Sequence, residues 1–154
     1  MFDLRDLYQE VILDHNRSPR NFGRPEESSC QARGYNPLCG DRVTVYLVIE
    51  DGKVADAKFE GRGCAISTAS ASMMTELVKG KTVADAEALF AEFRRMCTED
   101  EDGAEEPPEA LADDVEHLRV LSGVRAFPLR VKCATLAWHT MNAALHGDDE
   151  TTTE

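Results

Sequence analysis

"DRVTVYLVIEDGKVADAKFEG", residues Asp41 to Gly61, decides the fold class. From Arg42 to Glu50 apolar and polar residues alternate, with Val43, Val45, Leu47 and Ile49 on one face, which predicts a half-buried strand. Asp51-Gly52 supplies the positive φ angles of a two-residue hairpin turn, and Lys53 to Gly61 returns as the antiparallel partner. On both sides of this hairpin the apolar period changes to that of a helix. Leu4, Leu7, Tyr8, Val11, Ile12 and His15 form a helical stripe over residues 2 to 16. Ala65 to Val78 reads as a helix rich in small residues, Thr82 caps another that reaches about Met96, and a short helix carries Val115, Leu118 and Leu121. Pro128 opens a last helix to about Leu145. Residues 17 to 40 read as irregular, with a weak strand signal at Gln31 to Tyr35. Helix, small antiparallel sheet, then helices is an α+β plan.

The chain has 154 residues, 42% of them apolar and 30% charged, enough for one domain with its own core. A single domain is expected over residues 1–147, with an acidic insertion at about 97–117 and an acidic tail at 148–154. The net charge of −12 is unevenly spread: from Cys97 to His117 there are ten acids and no Lys or Arg, and the tail adds four more. The other fifteen acids face seventeen bases, so the body is close to neutral. Runs of this kind read as solvated loops or ends. No basic stripe with interleaved aromatics suggests nucleic acid, and no apolar run approaches the ~20 residues of a membrane span. The expected location is the cytoplasm.

Five cysteines without an export signal argue against a disulfide framework. Three have settings that favour a thiolate. Cys39 lies in the turn "NPLCGD" and, if the chain is extended there, shares a face with Asp41, Val43 and Val45. Cys64 follows Gly61-Arg62-Gly63 at the start of the small-residue helix, where unpaired N–H groups favour negative charge. Cys133 sits about one turn into the last helix beside Arg130 and Lys132. Each has a plainer reading: Cys133 falls on a stripe with Leu136, Ala137 and Thr140, Cys64 can be a packing choice, and Asp after Gly is ordinary turn chemistry. Cys30 and Cys97 read as packed residues. No CxxC zinc ribbon is present, and spacing alone leaves the role of the three open.

"NPLCGD", "GRGCAISTASAS", "RVKCATLAW" and "LYQEVILDHNRSPRN" resemble, in order and over nearly the whole chain, the SufU/IscU family, also found as the N-terminal domain of NifU. The resemblance implies that family's α+β fold with a three-stranded antiparallel sheet, and one metal site shared by Cys39, Asp41, Cys64 and Cys133. The scaffold branch resembling IscU has histidine before the last cysteine, where this chain has Lys132. The branch resembling SufU has an Arg-x-Lys-Cys arrangement, matched by Arg130, Lys132 and Cys133, and an extra segment before the last helix.

On that side of the family the implied function is a zinc-binding, sulfurtransferase-like acceptor. It takes persulfide sulfur from a pyridoxal-phosphate cysteine desulfurase (SufS-like) and supplies a downstream scaffold of the SUF iron–sulfur assembly pathway. Three thiolates and a carboxylate around Zn²⁺ leave a site near −2, with Arg130 and Lys132 as the neighbouring cations. The family's route, carried over by resemblance, has a desulfurase histidine take one coordination place and release Cys39 as the attacking thiolate. A scaffold assembling a [2Fe–2S] cluster on the same four residues is the competing reading, since thiolates suit iron as well as zinc. A disulfide-forming reductase is disfavoured by the missing CxxC, and a zinc-stabilised interaction domain by the family match.

Overall fold

The computed structural model describes residues 4–37, 40–98 and 109–152. In chain order it contains α1 (Leu4–Arg17), β1 (Cys30–Asn36), β2 (Asp41–Glu50), β3 (Lys53–Arg62), α2 (Ala65–Val78) and α3 (Val83–Thr98). A 3-10 turn (Glu109–Leu111), α4 (Ala112–Leu118), a second 3-10 segment (Arg119–Ala126), α5 (Pro128–Leu145) and β4 (Glu150–Thr152) follow. The α+β plan therefore holds, and the hairpin is built as its sequence predicts. Asp51 and Gly52 take φ of 53° and 75°, while Val43, Val45 and Leu47 face the core. A register shift between Val48 and Ile49 ends the strict alternation, which leaves Ile49 half-buried.

The sheet departs from the expected three antiparallel strands. Its order is β3-β2-β1-β4, and β4 runs parallel to β1, so it is four-stranded and mixed. The fourth strand comes from the acidic tail, which a reading as a solvated end did not anticipate. Arg33 N donates to Asp149 O at 2.8 Å, and the Arg33 guanidinium holds Glu150 Oε1 at 2.9 Å. At the other edge, Gly23 N donates to Phe59 O and Phe22 sets its ring edge-on to Phe59. Both edges are thus covered, β3 by the segment after α1 and β1 by the tail, which removes most of the open strand edge. Of the acidic insertion, residues 99–108 lie outside the described residues. In its described remainder Leu111 and Val115 are buried, as are Leu118 and Leu121 just after it.

All five helices serve one core, and α5 is its centre. Ten of its residues from Cys133 to Ala144 are buried, as expected for a helix covered on several sides. Gly34 on β1 makes this possible: a Cβ there would stand 1.9 Å from Thr140 Oγ1 and 3.1 Å from Leu136 Cδ1. Small residues on α2 let α5 approach from the other side. Ser70 donates its hydroxyl to Ala134 O and accepts from Trp138 Nε1 at 3.1 Å. Trp138 then packs on Phe93 of α3, with ring centroids 5.0 Å apart. No described helix is long and apolar enough to cross a membrane.

The seam between α1 and α2 carries a buried polar network. His15 Nδ1 lies 2.7 Å from Ser72 Oγ, which also accepts from Arg20 N at 2.8 Å. Burial lowers the pKa of His15 from the usual histidine value, and the Arg20 guanidinium lowers it further against the opposing carboxylates of Glu76 and Asp14. Burial and then Arg94 lower His139 likewise.

Two tests follow from this packing. Gly34→Ala should destabilise the chain by about 1–3 kcal/mol through overpacking, and Thr140→Ala added to it should recover part of that loss in urea unfolding. For His15, both folded and unfolded states are neutral well above pH ~6.5, and as pH falls the unfolded chain takes up its proton first. Stability should therefore drop as pH falls below ~6.5, and thermal melts of His15→Gln should show a shallower drop.

Candidate metal centre

One end of the sheet gathers the polar groups. β1 and β2 are joined across residues 37–40, with Asn36 paired to Asp41 in the antiparallel register. Gly40, at φ 71°, closes the connection by donating its N–H to Asn36 O at 2.8 Å. The register turns both Asn36 and Asp41 inward, onto the face that carries Val43 and Val45. Asn36 is fully buried and Asp41 is 1% exposed. A carboxylate at that depth needs donors, and the nearest is backbone: Cys64 N–H donates to Asp41 Oδ1 at 2.9 Å. Gly63 permits the approach, because a Cβ there would stand 2.6 Å from the same oxygen.

Cys64 is the N-cap of α2, as its sequence setting predicts, and its sulfur accepts from Ser67 N at 3.4 Å. The same Sγ is 3.9 Å from Asp41 Oδ2. Cys133, about one turn into α5 as its sequence position predicts, is fully buried, with Sγ 3.6 Å from Leu129 O. Asn36 Nδ2 lies 3.7 Å from Cys133 Sγ and can donate to it. Donor atoms of Asp41, Cys64 and Cys133 all lie within 4.8 Å of one another. Among the described residues, this is the one cluster of three or more Cys, His, Asp or Glu side chains with that spacing.

Cys39, expected to complete the set, lies outside the described residues, together with Leu38. Arg130 is exposed and Lys132 half-buried, both near the start of α5. Cys97 is buried at the end of α3 and Cys30 half-buried on β1, where burial raises its thiol pKa. Neither joins the cluster, in keeping with their reading as packed residues. Asn36 is the residue that sequence reasoning missed. Its signal was its parity with Ala32 and Gly34 on the inward face of β1, visible once that strand's register is known.

The donor set suits a thiophilic ion. Ligand atoms on one tetrahedral zinc stand roughly 3.3–3.8 Å apart, given bonds of about 2.0–2.3 Å, and the Cys64–Asp41 separation of 3.9 Å is only slightly longer. Two sulfurs with one oxygen also accommodate iron. The arrangement is a small α+β domain with a largely buried Cys/Asp cluster at a sheet end that could hold a metal ion. The chain belongs to the NifU-like N-terminal domain family, which matches residues 7–134. It is 42% identical over 139 residues to the zinc-dependent sulfurtransferase SufU of Bacillus subtilis, covering 90% of this chain and 89% of that one. With the iron–sulfur cluster assembly scaffold protein IscU of Thermotoga maritima it shares 39% identity over 140 residues, covering 90% and 92% respectively. A crystal structure from Fervidobacterium islandicum AW-1, described as a cluster assembly scaffold protein for the SUF system, superposes with TM-score 0.77. It is 34% identical, with 92% of this chain and 98% of that one covered.

Gly63→Ala tests the role of backbone approach. The added methyl should push the Asp41 carboxylate off the Cys64 N–H and weaken metal binding by about tenfold, the scale seen when a group orienting a ligand is lost. Competition with a chromogenic chelator measures it, and circular dichroism should show the helices retained.

Proposed function

We propose that this chain is a zinc-binding sulfur acceptor that takes persulfide sulfur from a cysteine desulfurase and passes it to iron–sulfur cluster assembly. The observation that carries this reading is the gathering of Asp41, Cys64 and Cys133 donors within 4.8 Å, at the sheet end whose β1–β2 connection contains Cys39. The similarity to a protein named a zinc-dependent sulfurtransferase supports it, as does Lys132 in the position before the last cysteine.

In this reading Asp41, Cys64 and Cys133 hold the zinc with Cys39 as the fourth ligand. Zinc supplies a positive centre that keeps its sulfur ligands ionised and fixes them together. Asn36 and the N–H of Ser67 point hydrogen-bond donors at two of the sulfurs, and the N–H of Cys64 fixes the carboxylate. Arg130 and Lys132 offset the excess negative charge of four anionic side chains. In this reading Cys39 is the ligand that reacts. As a thiolate it attacks the terminal sulfur of the desulfurase persulfide. A new S–S bond forms on Cys39, the donor's S–S bond breaks, and the donor cysteine leaves as a thiolate, so no external oxidant or reductant is needed. The partner is a pyridoxal-phosphate desulfurase of the SufS kind, and the recipient a downstream SUF scaffold.

The second reading is a scaffold that assembles a [2Fe–2S] cluster on the same side chains. It is favoured by the similarity to a protein named as a scaffold, at nearly the same identity and coverage. Elemental analysis separates the two: one zinc per chain and no visible absorption supports sulfur relay, whereas iron with sulfide and a brown colour supports the scaffold.

Cys39→Ser should keep the fold and the metal, because Asp41, Cys64 and Cys133 remain with water as a fourth ligand, yet abolish sulfur acceptance and desulfurase stimulation. Peptide mass mapping after incubation with desulfurase and cysteine should find the wild-type Cys39 peptide one sulfur heavier. Added sulfur on Cys64 or Cys133 with Cys39 unchanged would overturn the assignment.

A further inference from the structure

Tyr35, Arg42 and Arg62 form the terminal row on the outer face of the sheet, at the end that carries the Cys/Asp cluster. Tyr35 is paired with Arg42 across β1 and β2, and Arg42 with Arg62 across β2 and β3. Residues directly opposite on neighbouring antiparallel strands point to the same side, so the two arginines rise from paired positions on one face. Both arginines are exposed, and Tyr35 is 41% exposed. The Tyr35 ring lies 5.1 Å from the Arg42 guanidinium carbon, which holds that side chain over the sheet.

Like charges placed opposite one another repel. Among the described residues, no carboxylate lies within ion-pair distance of Arg42 or Arg62, in a chain of net charge −12. The contrast with the neighbouring arginines is plain: Arg20 holds Asp14, Arg24 holds Glu60, and Arg33 holds Glu150. A cleft of about 380 Å³ beside the row is lined by Arg33, Tyr35, Arg42, Thr44, Gly61 and Glu150. Its one acid, Glu150, is taken by Arg33, which leaves Arg42 available to something from outside.

We propose that Arg42 and Arg62, with Tyr35 positioning Arg42, form a docking surface for a carboxylate-bearing segment of the protein that delivers sulfur. This rests on the sulfur-acceptor reading. Position supports it: Arg42 follows Asp41 directly, and Arg62 precedes Gly63-Cys64. An acidic segment seated on this row is therefore held at the rim of the cluster. Charge complementarity of this kind acts chiefly on the rate of encounter and on its orientation.

The test compares wild type, the double reversal Arg42→Glu/Arg62→Glu and the neutral pair Arg42→Gln/Arg62→Gln. Association with the pyridoxal-phosphate cysteine desulfurase of the same organism is followed by stopped flow at low and high salt, beside zinc content and melting temperature. At low salt the neutral pair should associate several-fold more slowly and the reversal about tenfold more slowly or worse. High salt should bring the three together, with zinc content unchanged. Equal rates and equal salt dependence for all three would overturn the docking surface while leaving the sulfur-acceptor reading intact. So would loss of zinc with unchanged association, which would assign the arginines to the charge balance of the metal centre. A wild-type chain that neither binds the desulfurase nor accepts its sulfur would overturn both.

Discussion

The hydrogen bond from Cys64 N–H to Asp41 Oδ1 is the constraint on which the site depends. It joins the first residue of β2 to the N-cap of α2 across 23 positions of sequence, and it satisfies one oxygen of a buried carboxylate. Leaving such a group unsatisfied costs roughly 1–3 kcal/mol, more when it is charged. The contact is possible only because residue 63 has no side chain. A strand start and a helix start are thus held at one point, and the orientation of both elements is set there. The third element arrives by packing instead. Contacts of α5 with Gly34, Ser70 and Phe93 fix its axis, and Cys133 comes to the same point as a consequence of where that axis lies.

Much of this was legible in the sequence because it is local. The β2–β3 hairpin is written in alternation and a two-residue turn, and the N-cap position of Cys64 in the glycines before it. The limits of α2 and α5 follow from small-residue patterning and Pro128. What escaped is what depends on distant pairing. β4 is three residues, Glu-Thr-Thr, with no apolar alternation to reveal it; its backbone pairing with β1 and the Arg33–Glu150 ion pair join positions 117 apart. Asn36 is separated from Cys133 by 97 positions, and an asparagine before proline reads as turn chemistry until the strand register places it inside. The three-strand expectation failed for this reason: a parallel edge strand is specified by its partner rather than by its own residues.

The two halves of the site answer to different physics. Cys133 and Asn36 are fully buried, whereas Cys64 is half-buried at a helix end. Groups buried in the core change geometry only at the cost of repacking, because protein interiors are close-packed. A chemical role that requires one sulfur to leave its place is therefore best met outside that core. Asp41, Cys64 and Cys133 suit the part of a fixed anchor in the proposed reading, which leaves the reacting sulfur to be sought elsewhere.

Charge is divided in a similar way. Half of the acids are confined to the insertion and the tail, and part of the tail is drawn into the sheet by Arg33. The body that remains is near neutral overall, so its local field depends on which arginines have found a carboxylate. On the outer face Arg24 and Arg33 have. Among the described residues Arg42 and Arg62 have not, and they stand at the end of the sheet that carries the cysteine cluster, which a partner would approach in the proposed reading. In a chain this acidic, a partner with an acidic surface would meet repulsion over most orientations. Two uncompensated guanidinium groups beside the site would leave one approach attractive, so orientation would be selected before any specific contact forms.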